Sequence, residues 1–437
     1  MSETPDRTWV PTKAMGRTVL LTGVLLILAA LFGRIDLVIL AVPLAVGAGL
    51  ALARRPTEAP LVEVAIDDPV AIEGTPLSVR LGSGNPDRVG YDLMLLRLST
   101  GRWVRVRHGD RPYVSRTQPG ELVDVDLEGS LRRWGRHAVG PVTAHAVACH
   151  GLLVSAPVRT APLLLDGYPA TDPFAADEAM PRAAGLVGIH RSRRPGEGGE
   201  LAGVRMFGPG DRLRRIDWRV SLRARELHVA ATLSDRDAEV VLLLDVLHEA
   251  GRSGGVGGAA SVFDTTVRAA AGIAEHYLSQ GDRVGMLEYG FRARRLRSGS
   301  GRRQYLTILQ WLLDIKANES AQEVGIGMFD LHLIPSHALV IVLTPLVDPR
   351  TAEMLARLVR SGRIVIALDT LGSLKVPLPA TPWMESAYRL WGLERQNLLG
   401  QLGEHGVPVV TWAGAGSLDQ VLRDAARLAS GPRAGAR

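Results

Sequence analysis

Two apolar runs close to the N-terminus constrain this chain more than any other feature. Thr18 to Phe32 is apolar apart from two threonines and one glycine, and Leu37 to Ala53 carries no charged or hydroxyl side chain. Each run lies at or below the span of about 17–25 residues that crosses a bilayer as a helix. The break between them, Gly33-Arg34-Ile35-Asp36, predicts a tight turn and so a two-helix transmembrane hairpin over 18–53, preceded by a cytoplasmic tail over 1–17. Arg7, Lys13 and Arg17 precede the first run, Arg54 and Arg55 follow the second, and the turn holds only Arg34 beside Asp36. Excess cations stay on the cytoplasmic side, so a multi-pass protein of the cell membrane is expected, with its N- and C-terminal parts cytoplasmic. The small-x-small pattern Ala51-Leu52-Ala53 also fits a signal-peptide cleavage site, but a signal peptide needs one apolar run, not two.

The 437 residues carry a net charge of +6, and lysine occurs only at Lys13, Lys316 and Lys375. Arginine is spread through the chain among acids rather than clustered, which argues against a nucleic-acid face. Arg54 and Arg55 are placed to meet anionic headgroups. Cys149 is the single cysteine, so no intramolecular disulfide forms.

From Leu61 the pattern turns to short alternating runs: Leu61–Ile66, Leu77–Leu81, Leu93–Leu98, Trp103–Arg107, Leu122–Leu127 and Val142–Val147. Gly/Pro/Asn turn signals separate them, which predicts a β-sandwich over 60–165. Residues 166–235 are expected as linker and signature segment, with an exposed loop at Arg191–Gly199. Over 236–430 the period changes again. Val240–Leu244 reads as a strand buried on both faces. Helices are expected at Phe263–Ser279, Arg303–Ile315, Arg350–Ser361, Glu385–Gly403 and Leu418–Leu428. They alternate with strands at Arg283–Tyr289, Ala338–Leu343, Ile364–Leu368 and Val407–Trp412. That alternation predicts an α/β fold with an open, mostly parallel sheet, in which ligands bind beyond the carboxyl ends of the strands.

Residues 208–223, Gly-Pro-Gly-Asp-Arg-Leu-Arg-Arg-Ile-Asp-Trp-Arg-Val-Ser-Leu-Arg, resemble the signature of the family called domain of unknown function 58. The matching positions are Pro209, Gly210, Asp211, Arg214, Ile216, Asp217, Trp218, Ser221 and Arg223. Arg133–Pro141 and Gly281-Asp282-Arg283-Val284-Gly285 resemble two further elements of that family, and the resemblance is expected to cover nearly the whole chain. It implies a von Willebrand factor A-like C-terminal domain that binds proteins, and a MoxR-type AAA+ ATPase as partner. Asp211, Arg214, Asp217 and Arg223 are expected to form a paired-charge network beside Trp218, because buried charges need partners. It would serve as a structural buckle between sandwich and α/β module or as a recognition surface.

Factor A domains often hold a divalent ion through Asp-x-Ser-x-Ser. Here the segment is Asp245-Val246-Leu247-His248-Glu249, so only Asp245 and Glu249 offer oxygen, and Pro345 stands where a later-loop Asp is expected. Asp348 is a distant substitute. A hard cation needs several oxygen ligands, so the metal site is degenerate, no cofactor is expected, and Mg²⁺ is doubtful. Gly251-Arg252-Ser253-Gly254-Gly255 matches a hydrolase elbow, with Asp348 and His405 as candidate partners, but Ser253 lies too far past its strand. No lysine follows a glycine, so there is no phosphate loop. His137, His145, Cys149 and His150 invite a zinc reading, but on a strand Cys149 and His150 face opposite ways, so a small core thiol and surface imidazoles are expected instead. The expected function is that of a membrane-anchored interaction or adaptor protein, not an enzyme, acting with the ATPase and without nucleic acid or small-molecule substrate. A structural or cell-envelope assembly factor without an ATPase is the alternative, and a serine hydrolase the third. Contact surfaces are expected near Asp245, Glu249 and Asp348, or around Asp211–Arg223.

Overall fold

In the computed structural model the chain forms two units, residues 1–168 and 169–437. Placement is described for residues 8–109, 111–171, 195–208, 213, 216–233, 239–290, 294–316, 330–336, 338–372 and 383–412.

The first unit begins with a strand, β1 (Trp9–Pro11), where the sequence led us to expect only a tail. Two helices follow, α1 (Lys13–Phe32, 20 residues) and α2 (Ile35–Ala53, 19 residues). At about 1.5 Å per residue each spans roughly the hydrocarbon thickness of a bilayer. Thr12 caps α1: its hydroxyl accepts from the Met15 N–H at 3.3 Å and donates to the Gly151 carbonyl at 2.8 Å. Gly33 ends α1 in the left-handed region (φ 62°), a conformation that needs no Cβ to be accommodated. Only 17% of each apolar window is buried, so neither is the core helix of a globular unit. Leu20, Ile27, Leu31, Phe32, Ile35 and Ile39 all point outward.

Next come β2 (Leu61–Ile66), β3 (Val70–Ile72), β4 (Pro76–Gly84), β5 (Tyr91–Thr100), β6 (Val104–Val106), β7 (Tyr113–Thr117), β8 (Leu122–Leu131), β9 (Gly135–Ala148), β10 (Leu153–Ser155), β11 (Val158–Arg159) and β12 (Leu163–Tyr168). They form two sheets. One has the order β2-β4-β8-β6. The other runs β1-β10-β9-β12-β3, with β5 and β11 also on β9, and β7 on β5. Alternation along β4 and β9 sends Val79 and Leu81 from one sheet, and Val142, Ala144 and Ala146 from the other, into a single core. Sheet pairing continues to Tyr168, past the expected border at 165.

Trp9 belongs to that core at 1% exposure. Its indole N–H donates to the Glu58 carbonyl at 3.0 Å, and Arg55 donates to the Trp9 carbonyl at 2.8 Å. The Asp87 carboxylate accepts from the N–H groups of Thr57, Glu58 and Val89. Burial opposes its charge, but these donors hold its carboxyl below the ordinary range. The chain therefore enters α1 and leaves α2 at one pinned place on the same unit.

In the second unit β13 (Pro195–Met206) pairs antiparallel with β14 (His228–Leu233), and α3 (Trp218–Ala224) lies between them in sequence. The expected loop at 191–199 is corrected over residues 195–199, which belong to β13. Backbone pairing to β14 makes the strand despite its glycines, with register shifts on either side of Leu201 absorbing the irregularity.

The remainder is an α/β sheet of β15 (Glu239–Asp245), β16 (Arg283–Tyr289), β17 (Arg295–Gly299), β18 (Leu339–Thr344), β19 (Ile364–Asp369) and β20 (Val409–Thr411), in the order β17-β16-β15-β18-β19-β20. All pairings are parallel except that of β17, an antiparallel edge strand that was not anticipated. Between the strands run α4 (Val262–Ser279), α5 (Gly301–Leu313), α6 (Pro349–Arg360) and α7 (Met384–Glu404). β15 is central, and Val240 to Leu244 are buried on both faces. The expected helix at Leu418–Leu428 lies outside the described residues.

Candidate functional site

The parallel strands β15, β18 and β19 end side by side at Asp245, Thr344 and Asp369. Loops at this end of an open sheet form its usual binding face. Asp245 is 1% exposed. Its Oδ2 accepts from the Thr344 hydroxyl at 2.7 Å and the Thr351 hydroxyl at 2.9 Å, and its Oδ1 from the Leu247 N–H at 3.1 Å. Burial pushes the Asp245 carboxyl up, while these donors pull it back. Thr344 Oγ1 in turn accepts from the Leu346 N–H at 2.9 Å. One carboxylate thus ties β15 to the end of β18 and to the first turn of α6.

Asp348 caps α6, accepting from the Arg350 N–H at 2.9 Å. It is gripped by the Arg350 guanidinium, with 2.6 Å to the nearer oxygen, and lies 2.8 Å from His248 Nε2. The Arg350 guanidinium holds its carboxyl down to about 2. Arg395 on α7 reaches back to the strand ends. It donates to Asp369 Oδ1 at 2.6 Å and to the carbonyls of Pro345 and Leu346 at 2.7 and 3.1 Å.

These contacts do not fit a Mg²⁺ site. Leu247 brings no side-chain oxygen and is a core residue at 4% exposure, Glu249 lies on the exposed loop, and a Thr344 lone pair is taken by the Leu346 N–H. Mg²⁺ takes an octahedron of oxygens, of which waters commonly supply several and one or two carboxylates the rest. Among the described residues no group of three or more His, Cys, Asp or Glu side chains is arranged to hold a metal ion.

The hydrolase candidates are each engaged elsewhere. Ser253 Oγ accepts from Gly255 N–H at 3.3 Å in the loop between β15 and α4, Asp348 pairs with His248 and Arg350, and the His405 ring bonds the Gln401 carbonyl. Cys149 and His150 occupy a turn with φ of 57° and 55°, not the strand on which their divergence was argued.

Of the signature residues, Pro209, Gly210, Asp211 and Arg214 lie outside the described residues. Asp217 accepts from the N–H groups of Arg219 and Val220, both at 3.1 Å, as the N-cap of α3. Ser221 Oγ donates to the Asp217 carbonyl at 2.7 Å and accepts from the His228 N–H at 2.8 Å. Asp217 is thus engaged by backbone donors, while Asp211 and Arg214, its expected partners in a charge network, lie outside the described residues. Trp218 and Arg223 point outward.

Sequence reasoning missed Thr351 and Arg395. Asp348-Pro349 is a helix-start pair that places Thr351 in the first turn of α6, so that signal was present. Arg395, one of two arginines on a long helix, gave none.

The chain is thus a mixed α/β protein with two apolar N-terminal helices and several sheets, its polar centre at the head of the parallel one. Residues 203–386 match the family described as "Protein of unknown function DUF58". The match covers these residues rather than nearly the whole chain. Uncharacterized proteins Mb1516 of Mycobacterium bovis and Rv1480 of Mycobacterium tuberculosis are each 26% identical over 198 residues, 44% of this chain. The match spans 62% of the length of these curated relatives. Among solved structures, an aerotolerance-related membrane protein from Bacteroides fragilis is similar at 14% identity and a TM-score of 0.29, over 44% of this chain and 98% of that one. Spo0M, a sporulation control protein of Bacillus subtilis, is similar at 16% identity and a TM-score of 0.16, over 30% and 54%.

Proposed function

We propose that this is a membrane-anchored docking protein. Its C-terminal α/β unit is von Willebrand factor A-like and receives a protein partner on the loops above Asp245. The observation that carries this reading is the closed Asp245–Thr344–Thr351 centre. It braces three elements beneath the exposed residues His248, Glu249 and Val347. A rigid platform suits recognition, since little ordering is lost on binding. The partner implied by the resemblance is a MoxR-type AAA+ ATPase, with the chain as adaptor in chaperone-like assembly. A cell-envelope assembly factor without an ATPase is the second reading.

The hairpin α1–α2 crosses the membrane twice with both flanks cytoplasmic. The pinning of Trp9 to Glu58 and Arg55 supports a common side for both flanks, and the cations Lys13, Arg17, Arg54 and Arg55 support the cytoplasmic one. Two measurements test the proposal. In a Cys149→Ser background, Arg34→Cys should react with an impermeant thiol reagent on intact cells, and protection there would refute the topology. Affinity purification from native membranes should bring down an AAA+ ATPase with the natural chain and lose it with Val347→Asp and Glu249→Arg. An eluate holding envelope enzymes and no ATPase favours the second reading.

A further inference from the structure

The signature helix α3 carries side chains that its internal hydrogen bonds leave unexplained. Trp218 and Leu222 sit one turn apart on one face and are 62% and 78% exposed. Arg219 and Arg223 run beside them at the same spacing, and Arg225 follows at the C-cap, all exposed. Among the described residues none of these three guanidinium groups is paired. Among the described residues the acids nearest in sequence are Asp217, which caps the helix, and Glu226. Ser221 faces the other way and is buried against His228. The outer face is therefore held open by its own scaffold.

We propose that α3 is a second membrane contact, with Trp218 and Leu222 entering the headgroup region of an anionic bilayer and Arg219, Arg223 and Arg225 meeting lipid phosphates. Tryptophan with arginine alongside is the side-chain set of membrane–water interfaces. The apolar area that α3 itself offers is small for a protein partner. A specific interface buries about 800 Å² per side, whereas a Trp buries about 150–250 Å² and one leucine adds less. A bilayer asks for much less here, because it is already held near the chain. Tethering by α1 and α2 turns a weak contact into an intramolecular one. The inference rests on that anchoring, so anchoring is measured separately.

The experiment uses the full chain in nanodiscs of phosphatidylcholine alone or mixed with phosphatidylglycerol. Retention of the chain in alkaline-washed membranes reports the anchor, whatever α3 does. Hydrogen exchange over residues 216–229 reports docking, and quenching by brominated lipid, taken as the difference between the natural chain and Trp218→Phe, reports insertion. Protection and quenching are expected with the anionic lipid and absent in phosphatidylcholine alone. Each of Arg219→Gln, Arg223→Gln and Arg225→Gln should lower the docked-to-free ratio about fivefold, and high salt should do the same to all. Leu222→Ser should abolish quenching without altering the Asp217 cap. A chain that is retained yet shows no protection in either lipid overturns the inference, as does equal protection in both. Protection that arises only when cytosolic protein is added overturns it in favour of a protein partner. A chain that is not retained refutes the anchor itself, and the inference with it.

Discussion

The Asp245 centre can be tested by removing its two hydroxyl donors one at a time. Thr351→Val keeps the shape and deletes one hydrogen bond to a buried carboxylate, which is worth about 1.5–3 kcal/mol. Thr344→Val deletes a second such bond and also strips the Leu346 N–H of its acceptor. A buried unsatisfied donor adds about 1–3 kcal/mol. The expected losses are therefore about 2 kcal/mol for Thr351→Val and about 4 kcal/mol for Thr344→Val. The pH dependence follows from the direction of the shift. Asp245 has its folded carboxyl raised above the unfolded value. Its stability contribution is full below that unfolded value and is lost as pH rises through the folded one. Losing a donor raises the folded value further, so each penalty should be large at alkaline pH and shrink toward pH of about 4. Hydrogen exchange over residues 339–347 reads this sheet locally instead of averaging over two units. A Thr351→Val loss equal to or larger than that of Thr344→Val would refute the reasoning, as would penalties that ignore pH.

Three further outcomes are expected. Trp9→Ala should destabilise the first unit by about 3–5 kcal/mol, as for a buried aromatic, and should speed exchange at residues 57–59 by removing the indole hydrogen bond to the Glu58 carbonyl that holds this stretch; unchanged exchange there would show that β1 does not seat the hairpin. Arg395→Ala should cost about 3–5 kcal/mol by leaving Asp369 buried without its cation, while Arg395→Lys should recover only part, since it cannot fork to Pro345 and Leu346; thermal unfolding distinguishes the two. Asp348 has its carboxyl lowered to about 2. Its contribution, roughly 2 kcal/mol, is present above pH of about 4 and is lost as pH falls through about 2. Asp348→Asn should therefore match the natural chain in acid and trail it at neutral pH in chemical unfolding.

Much of the fold was legible because it follows from local period. The alternating residues of β2 and β4 can have one face buried only as strands, and the unbroken run Val240–Leu244 only as a central strand covered on both sides. The strand Arg283–Tyr289 falls where the sequence places it, and Val262–Ser279 starts one residue before the expected Phe263. Where glycine removed the side-chain signal, as in β13, the sequence read as loop and only pairing to β14 made a strand. The edge strand β17 was missed because Arg295-Leu296-Arg297-Ser298-Gly299 holds a single large apolar residue, too little to mark a period.

By itself the sequence determined the two apolar helices, the switch from alternating to continuous hydrophobic runs, and the signature at 208–223, which lies within the residues that match a family. Each is a property of neighbouring residues, and neighbours interact whatever the rest of the chain does. Only tertiary structure decided that Trp9 closes the base of the hairpin, that Thr351 answers Asp245 across 106 positions, that Arg395 reaches Asp369, and that Trp218 faces outward. These depend on which surfaces meet when elements pack. Such meetings select among hydrogen-bond partners that are chemically alike, and no local pattern ranks them.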